Sequence, residues 1–156
     1  MADLSVEIAG VRFKNPIWTS SSEVTENFEK MKRAFDLGAG AVVAKSYTSS
    51  IEYRMATELA RYCIIGEDRM PAYGRKVPKL FTNYCRTGIG PKEETEDGWY
   101  DEVVKTMKYG AKTGGKVVGS VFGNTDTDEM VRLTKRMEDI GIEMVELDLA
   151  CPQGEE

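Results

Sequence analysis

The chain has 156 residues, of which 41% are hydrophobic and 30% charged, and its formal net charge is −5. This composition is typical of one soluble globular domain. The charges of both signs are interspersed, so the sequence lacks the basic stripe of a nucleic-acid-binding protein, and its apolar runs are shorter than the roughly 18 residues of a membrane span. We expect neither a nucleic-acid partner nor a membrane span.

The residue types restrict the chemistry that the chain can perform. It contains no histidine, so proton transfer within it depends on Cys, Asp, Glu, Lys or Tyr. Its three cysteines, Cys63, Cys85 and Cys151, cannot all pair with one another and form no Cys-x-x-Cys motif. No second ligand lies at a suitable spacing from Cys151, so no metal site is predicted. Because the N-terminus also lacks a signal-peptide pattern, we predict a reduced, cytoplasmic protein.

The apolar pattern predicts a hairpin followed by strands that alternate with helices. Residues 4–15 alternate apolar and polar side chains, which indicates the hairpin. A helix begins at Asn27, with Leu37 expected on its buried face, and two more helices follow. Four strands are predicted, at 16–18, where the strand runs into a polar loop, and at 41–44, 116–122 and 144–149. Strands that alternate with helices pair in parallel, so the pattern favours either half a barrel or a small doubly wound sheet.

Residues 49–98 have weak periodicity and many glycines and prolines. We predict a long loop region within a single partial domain that spans residues 1–156. Two interpretations remain: an active-site loop, which long loops in compact domains usually are, or an exposed insertion.

Polar residues follow every predicted strand. The carboxyl ends of parallel strands share one edge of a sheet, so these groups are expected to form a single site. The residues are Ser20, Ser21 and Ser22 after the first strand, Lys45 and Ser46 after the second, Asn124 after the third, and Asp148, Cys151 and Gln153 after the fourth. This convergence favours an enzyme or a ligand-binding domain.

Each of these groups also has a simpler interpretation. Lys45 could pair with a nearby carboxylate, and the serines could cap the following helix. Cys151 could be a small buried apolar residue, a metal ligand, or a thiolate that acts as base or nucleophile.

Several motifs resemble those of one enzyme family. They are Lys14-Asn15-Pro16-Ile17, Ser20-Ser21, the segment from Gly38 to Ser46, and Val145-Glu146-Leu147-Asp148-Leu149-Ala150-Cys151-Pro152-Gln153-Gly154. In order and spacing they resemble the FMN-dependent dihydroorotate dehydrogenases and the pyrimidine-reducing domain of dihydropyrimidine dehydrogenase. The resemblance covers the whole chain but only the first half of the family's domain. It implies an α/β fold: the first four β/α units of a TIM barrel, with the N-terminal hairpin as a plug.

The resemblance also implies roles for individual residues. Cys151 would be the catalytic acid/base for a substrate carbon, while hydride passes between that substrate and FMN. Lys45 would lie beside the flavin and the substrate, where its positive charge stabilises negative charge on the ring. The other implied contacts are Ser20, Ser21, Ser46 and Asp148 for FMN, and Asn83 and Gln153 for the substrate. The implied reaction is oxidation or reduction of a CH–CH bond next to a carbonyl in a small molecule such as a dihydropyrimidine.

The sequence departs from the family at Asp148, where asparagine is usual, and at Gln153, where asparagine or histidine is usual. A carboxylate at position 148 would repel an anionic substrate. Two alternatives therefore remain: a half-barrel interaction subunit without flavin, and a truncated fragment without activity of its own. For the enzyme and for the interaction subunit alike, the expected partner is a missing C-terminal half-barrel or a second copy of the chain.

Overall fold

A computed structural model describes residues 2–51, 61–66, 81–86, 91, 95–123 and 126–149, and in 61–66 and 81–86 it describes the backbone alone. Eight strands occur in these ranges: β1 (Val6–Ile8), β2 (Val11–Phe13), β3 (Trp18–Thr19), β4 (Ala41–Val43), β5 (Arg61–Gly66), β6 (Phe81–Arg86), β7 (Lys116–Val121) and β8 (Val145–Leu147). The described helices are α1 (Phe28–Asp36), α2 (Glu96–Thr113) and α3 (Thr127–Asp139).

Strands β3, β4, β7 and β8 form one parallel sheet in that order, and the helices α1, α2 and α3 connect them along the chain. The predicted fold class is therefore confirmed. It is an α/β arrangement of four parallel strands and three helices after an N-terminal antiparallel hairpin, as in half a TIM barrel. None of the helices in the described ranges is long and apolar enough to cross a membrane.

The hairpin β1–β2 turns at Ala9 and Gly10, which both have positive φ. Two such residues suit the tight turn whose twist matches antiparallel strands. Phe13 at the end of β2 is buried and packs against Trp18, with 4.4 Å between the ring centroids. The hairpin thereby covers the apolar face formed by Ala41, Val43 and Val118, as a plug would.

Polar side chains fix where each helix begins. Asn27, Thr95 and Asp126 each accept a hydrogen bond from a backbone N–H in the first turn of α1, α2 and α3, respectively. The helices pack on the face of the sheet opposite the hairpin, around Met31, Trp99 and other buried apolar side chains.

Two expectations are wrong in detail. Leu37, which we predicted to be buried, is 80% exposed, because α1 ends at Asp36 and Gly38 turns the chain with φ +97°. The region 49–98 is also not wholly loop: β5 and β6 pair antiparallel within it, and α2 already begins at Glu96. Its proposed part in an active site stays a prediction.

The Lys14-Asn15-Pro16 motif has a structural use. The Asn15 side-chain amide donates a hydrogen bond to the Gly38 carbonyl, and its carbonyl oxygen accepts one from the Ile17 N–H, both at 3.0 Å. The Lys14 ammonium donates to the Thr113 carbonyl at 3.0 Å. These bonds tie the start of β3 to the ends of α1 and α2. Gly40 packs directly on the Asn15 backbone.

We expect Gly40→Ala to destabilise the protein by about 3 kcal/mol, at the upper end of overpacking effects. The added Cβ would lie 2.1 Å from the Asn15 carbonyl oxygen and 2.6 Å from its Oδ1, so backbone must move. Gly119→Ala is the matched control, because its Cβ would meet the flexible Met137 side chain at 3.1 Å. The control should cost about 1 kcal/mol or less. Urea midpoints measure both, and equal losses would contradict the prediction.

Candidate active site

The site is built on an irregularity just after β4. The Ala44 N–H donates to the Val118 carbonyl and the Tyr47 N–H donates to the Ser120 carbonyl, both at 2.9 Å. Three residue steps on the β4 side thus oppose two on β7, which is the arrangement of a β-bulge. The bulge frees Lys45 and Ser46 from the ladder and re-aims their side chains. Bulges of this kind are common beside active sites.

The two freed backbone N–H groups bond to the loop after β3. The Lys45 N–H donates to the Thr25 carbonyl at 3.1 Å, and the Ser46 N–H donates to Ser21 Oγ at 2.8 Å. This loop is itself a compact turn, in which Thr25 Oγ1 accepts from the Ser22 N–H at 3.1 Å. Ser20, beside it, is exposed. The carboxyl ends of β3 and β4 are thereby locked together.

A line of hydroxyl groups crosses the sheet at this edge. Ser21 Oγ lies 3.0 Å from Ser46 Oγ, and Ser46 Oγ lies 2.9 Å from Ser120 Oγ. Ser120 then donates to Glu146 Oε1 at 2.8 Å. Ser46 and Ser120 are both buried. The Ser120–Glu146 pair follows the register of β7 and β8, in which these two residues are opposite one another.

The direction of the hydrogen bonds follows from the hydrogens available. A serine hydroxyl has one hydrogen, and the Ser120 hydrogen is used for Glu146. Ser46 is therefore the donor to Ser120, and Ser21 is the donor to Ser46. Asp148 Oδ2 lies 3.4 Å from Ser46 Oγ, a longer contact that competes for the same hydrogen. Among the residues that the structure describes, no other group forms a hydrogen bond or an ion pair with the Asp148 carboxylate.

Lys45 is held between the sheet and the β3–α1 loop. Its side chain is 12% exposed, and its ammonium lies 3.6 Å from Glu23 Oε1. Glu23 belongs to a short 3₁₀ turn, Glu23–Thr25. Lys45 does have a local carboxylate partner, as its simpler interpretation predicts. At 3.6 Å the pair is loose, so the ammonium keeps hydrogens for another acceptor.

The loop that continues from Lys45 is anchored to α3. Ser49 donates a hydrogen bond to Glu129 in the first turn of that helix. The pKa of the Glu129 carboxyl is lowered, chiefly because Arg132 donates hydrogen bonds to it. A charged Glu129 therefore holds this loop at neutral pH, and the contribution fades as acid protonates the carboxyl.

The structure describes the side chains of some predicted site residues, whereas others lie outside the described side chains. Ser21, Ser46 and Asp148 lie in one hydrogen-bonded group at the carboxyl edge of the sheet, and Lys45 is adjacent to it in the bulge. Ser20 is next to Ser21 in the same loop. Of Asn83 the structure describes only the backbone, which pairs with Ile64 in β5–β6. Cys151 and Gln153, like Asn124, lie outside the described residues.

Sequence reasoning missed three polar groups at this edge: Glu23, Ser120 and Glu146. Ser120 interrupts an otherwise apolar strand, and Glu146 and Asp148 are two residues apart on a strand, hence on the same face. Those signals were available in the sequence. Glu23 gave none, because a glutamate near a helix start is ordinary.

Comparison with known proteins identifies relatives of the chain by sequence. Over 97% of its length the chain is 30% identical to the protein named dihydroorotate dehydrogenase B (NAD(+)), catalytic subunit, of Thermoplasma acidophilum, of which it covers 43%. Over the same share it is 28% identical to the chloroplastic dihydropyrimidine dehydrogenase (NADP(+)) of Arabidopsis thaliana, covering 34% of that protein. It is 22% identical to the NAD-dependent dihydropyrimidine dehydrogenase subunit PreA of Escherichia coli K12, covering 33%.

The chain thus spans less than half the length of these relatives. No model of a known protein family matches it. All three relatives are named as dehydrogenases, and two are named as subunits. These matches confirm the resemblance that the motifs indicate: the chain is related in sequence to the dihydroorotate and dihydropyrimidine dehydrogenases.

Proposed function

We propose that the chain is the N-terminal half-barrel of an FMN-dependent oxidoreductase that acts on a CH–CH bond next to a carbonyl. The observation that carries the proposal is the convergence at the carboxyl edge of the sheet. There, hydroxyls from three different strand ends and one partly buried ammonium meet in a bulged segment. This is the edge at which α/β barrels bind ligands and do chemistry. The relatives' names supply the reaction class.

The polar groups at this edge suit a flavin. A flavin ring presents carbonyl oxygens and unprotonated ring nitrogens, which accept hydrogen bonds from an ammonium, and a ring N–H, which donates to a hydroxyl oxygen. Ser20 and Ser21 would contact it from the β3 loop, and Ser46 and Lys45 from the β4 bulge. FMN would supply the hydride transfer. Lys45 would stabilise negative charge on the ring, and Cys151 would exchange the proton with the substrate carbon.

An edge strand and an apolar groove support the view that further polypeptide completes this half-barrel. Strand β3 is only two residues long and, within the described part of the chain, pairs on one side alone, with β4. Beside it lies a groove of about 570 Å³ that Ile17, Val24 and Leu37 line with exposed apolar side chains. Thr19 Oγ1 is buried there with no hydrogen-bond partner among the described residues. A further helix and strand would cover these groups and satisfy them.

The test is a titration of the natural polypeptide that contains residues 1–156 with FMN. Quenching of flavin fluorescence should report stoichiometric binding, and addition of a dihydropyrimidine without oxygen should bleach the flavin absorption band. Glu143→Gln is the control, because Glu143 is exposed at the opposite edge of the sheet from the proposed site. A folded protein that does not quench FMN would contradict the proposal.

A second function is favoured by the same groove. The chain could act as an interaction subunit without flavin, which pairs through the open β3 and β8 edges. Exposed Ile17 and Leu37 favour association, and Asp148 disfavours the usual flavin site. Light scattering distinguishes the two: a stable dimer that ignores FMN would support the interaction subunit, whereas FMN binding by the natural polypeptide supports the enzyme.

A further inference from the structure

Negative charge dominates the candidate site. Its charged groups among the described residues are one ammonium, Lys45, and three carboxylates, Glu23, Glu146 and Asp148. Glu23 lies 3.6 Å from the Lys45 ammonium and offsets part of its charge before a ligand arrives. Glu146 and Asp148 have no cationic partner among the described residues. A ligand at this edge therefore meets a net negative charge on the groups that the structure describes.

We propose that this site selects an uncharged substrate that has ring N–H groups, and that Asp148 is the residue that rejects its carboxylate-bearing counterpart. The inference rests on the proposed function and names the substrate class for that site: a neutral dihydropyrimidine rather than a dihydropyrimidine carboxylate. Like charges brought together at a partly buried site repel more strongly than in water, because the local dielectric constant is lower.

The backbone of Asp148 is held in place at the end of β8. Its N–H donates to the Val121 carbonyl at 3.0 Å, which extends the pairing with β7 by one further bond. The side chain is half-buried on the same face as Glu146, and its Oδ2 lies 3.4 Å from Ser46 Oγ. The backbone bond fixes the point from which this carboxylate extends, at the edge that carries the hydroxyl line.

The same carboxylate has unused hydrogen-bonding capacity. Ser46 gives its one hydrogen to Ser120 at 2.9 Å, which leaves Asp148 with only the 3.4 Å contact. An ionised carboxylate has about four acceptor positions and no donor. It therefore accepts well from the N–H groups of a cyclic amide and cannot donate to a carboxylate. The attraction applies to any cyclic amide with free N–H groups, whereas the repulsion disfavours the one that carries a carboxylate.

The test measures the binding of uracil and orotate, which differ by one carboxylate, to the natural polypeptide by isothermal titration calorimetry with and without FMN. The wild-type protein should bind uracil at least about tenfold more tightly than orotate, as expected for one uncompensated charge contact. Asp148→Asn should tighten orotate binding about tenfold and change uracil binding less than about threefold. Glu23→Gln, which frees the Lys45 ammonium, should also tighten orotate binding.

Glu143→Gln is the matched control. Glu143 precedes β8, the strand that Asp148 follows, but it pairs with Lys116 at the opposite end of the sheet. Its loss should therefore change neither uracil binding nor orotate binding. Orotate binding as tight as uracil binding in the wild-type protein would overturn the inference, and so would equal changes for both ligands in Asp148→Asn and Glu23→Gln. Binding of neither ligand would overturn it as well. Failure to bind FMN would contradict the proposed function but not this inference. A preference for uracil over orotate in calorimetry without FMN would still support a site for a neutral ligand.

Discussion

Cys151→Ala should slow the reduction of flavin by substrate by about 10²- to 10⁴-fold, the range for loss of a general acid/base. Cys151 comes three positions after Asp148 in the sequence, and the chain has no histidine to replace it in proton transfer. Stopped-flow absorbance under anaerobic conditions measures the rate. FMN affinity should change little, since the thiol is proposed to act on the substrate carbon.

Cys63→Ala is the control for this change. Cys63 lies on β5, opposite Tyr84 of β6, in a two-stranded sheet separate from the parallel sheet that carries the candidate site, and it is not among the predicted site residues. Its replacement should leave the flavin reduction rate within about twofold of wild type, the ordinary effect of a substitution outside the chemistry. A normal rate in Cys151→Ala would remove the proposed acid/base, and an equal loss in both variants would point to a general effect on folding.

Lys45→Met should lower the same rate by about 10²- to 10³-fold, the range for removal of one preorganised electrostatic donor. Methionine keeps the length of the side chain, and the bulge is held by the Ala44 and Tyr47 backbone bonds, so the local structure should persist. The lost ammonium should also make the flavin harder to reduce, which a potentiometric titration detects independently of the rate.

Lys116→Met is the matched control, because Lys116 lies on the same sheet at the amino end of β7 and pairs with Glu143. That variant should keep both the rate and the flavin potential. If Lys45→Met also keeps the wild-type potential, the ammonium does not face the flavin, and its bond with Glu23 would be its whole role.

The sequence predicts the framework well, for physical reasons that act locally. Apolar runs such as 41–44 indicate strands covered on both faces, and Asn27 and Asp126 cap the helices that follow them. Parallel pairing then requires the loops after these strands to meet at one edge. The sequence alone therefore predicts that Ser21, Ser46 and Asp148 lie close together.

The finer geometry depends on contacts between distant segments. No pattern in Ala44–Tyr47 reveals a bulge, because the extra residue is defined only by its opposition to Val118 and Ser120 on β7. Leu37 is similar: the helical period continues to it, but the helix ends one residue earlier where Gly38 turns the chain. The sequence also does not reveal the pairing of β5 with β6, because it joins two separate segments in a region of weak periodicity.

In the proposed enzyme, serine hydroxyls, an ammonium and a thiol gather around one flavin at the carboxyl edge of the sheet. A crystal structure of the natural polypeptide grown with FMN tests this directly. The account predicts the flavin ring across the ends of β3, β4, β7 and β8, in contact with Ser21 and Lys45, and with Cys151 Sγ facing the same ring. A flavin bound elsewhere, or Cys151 at the opposite end of the sheet from Lys45, would contradict it.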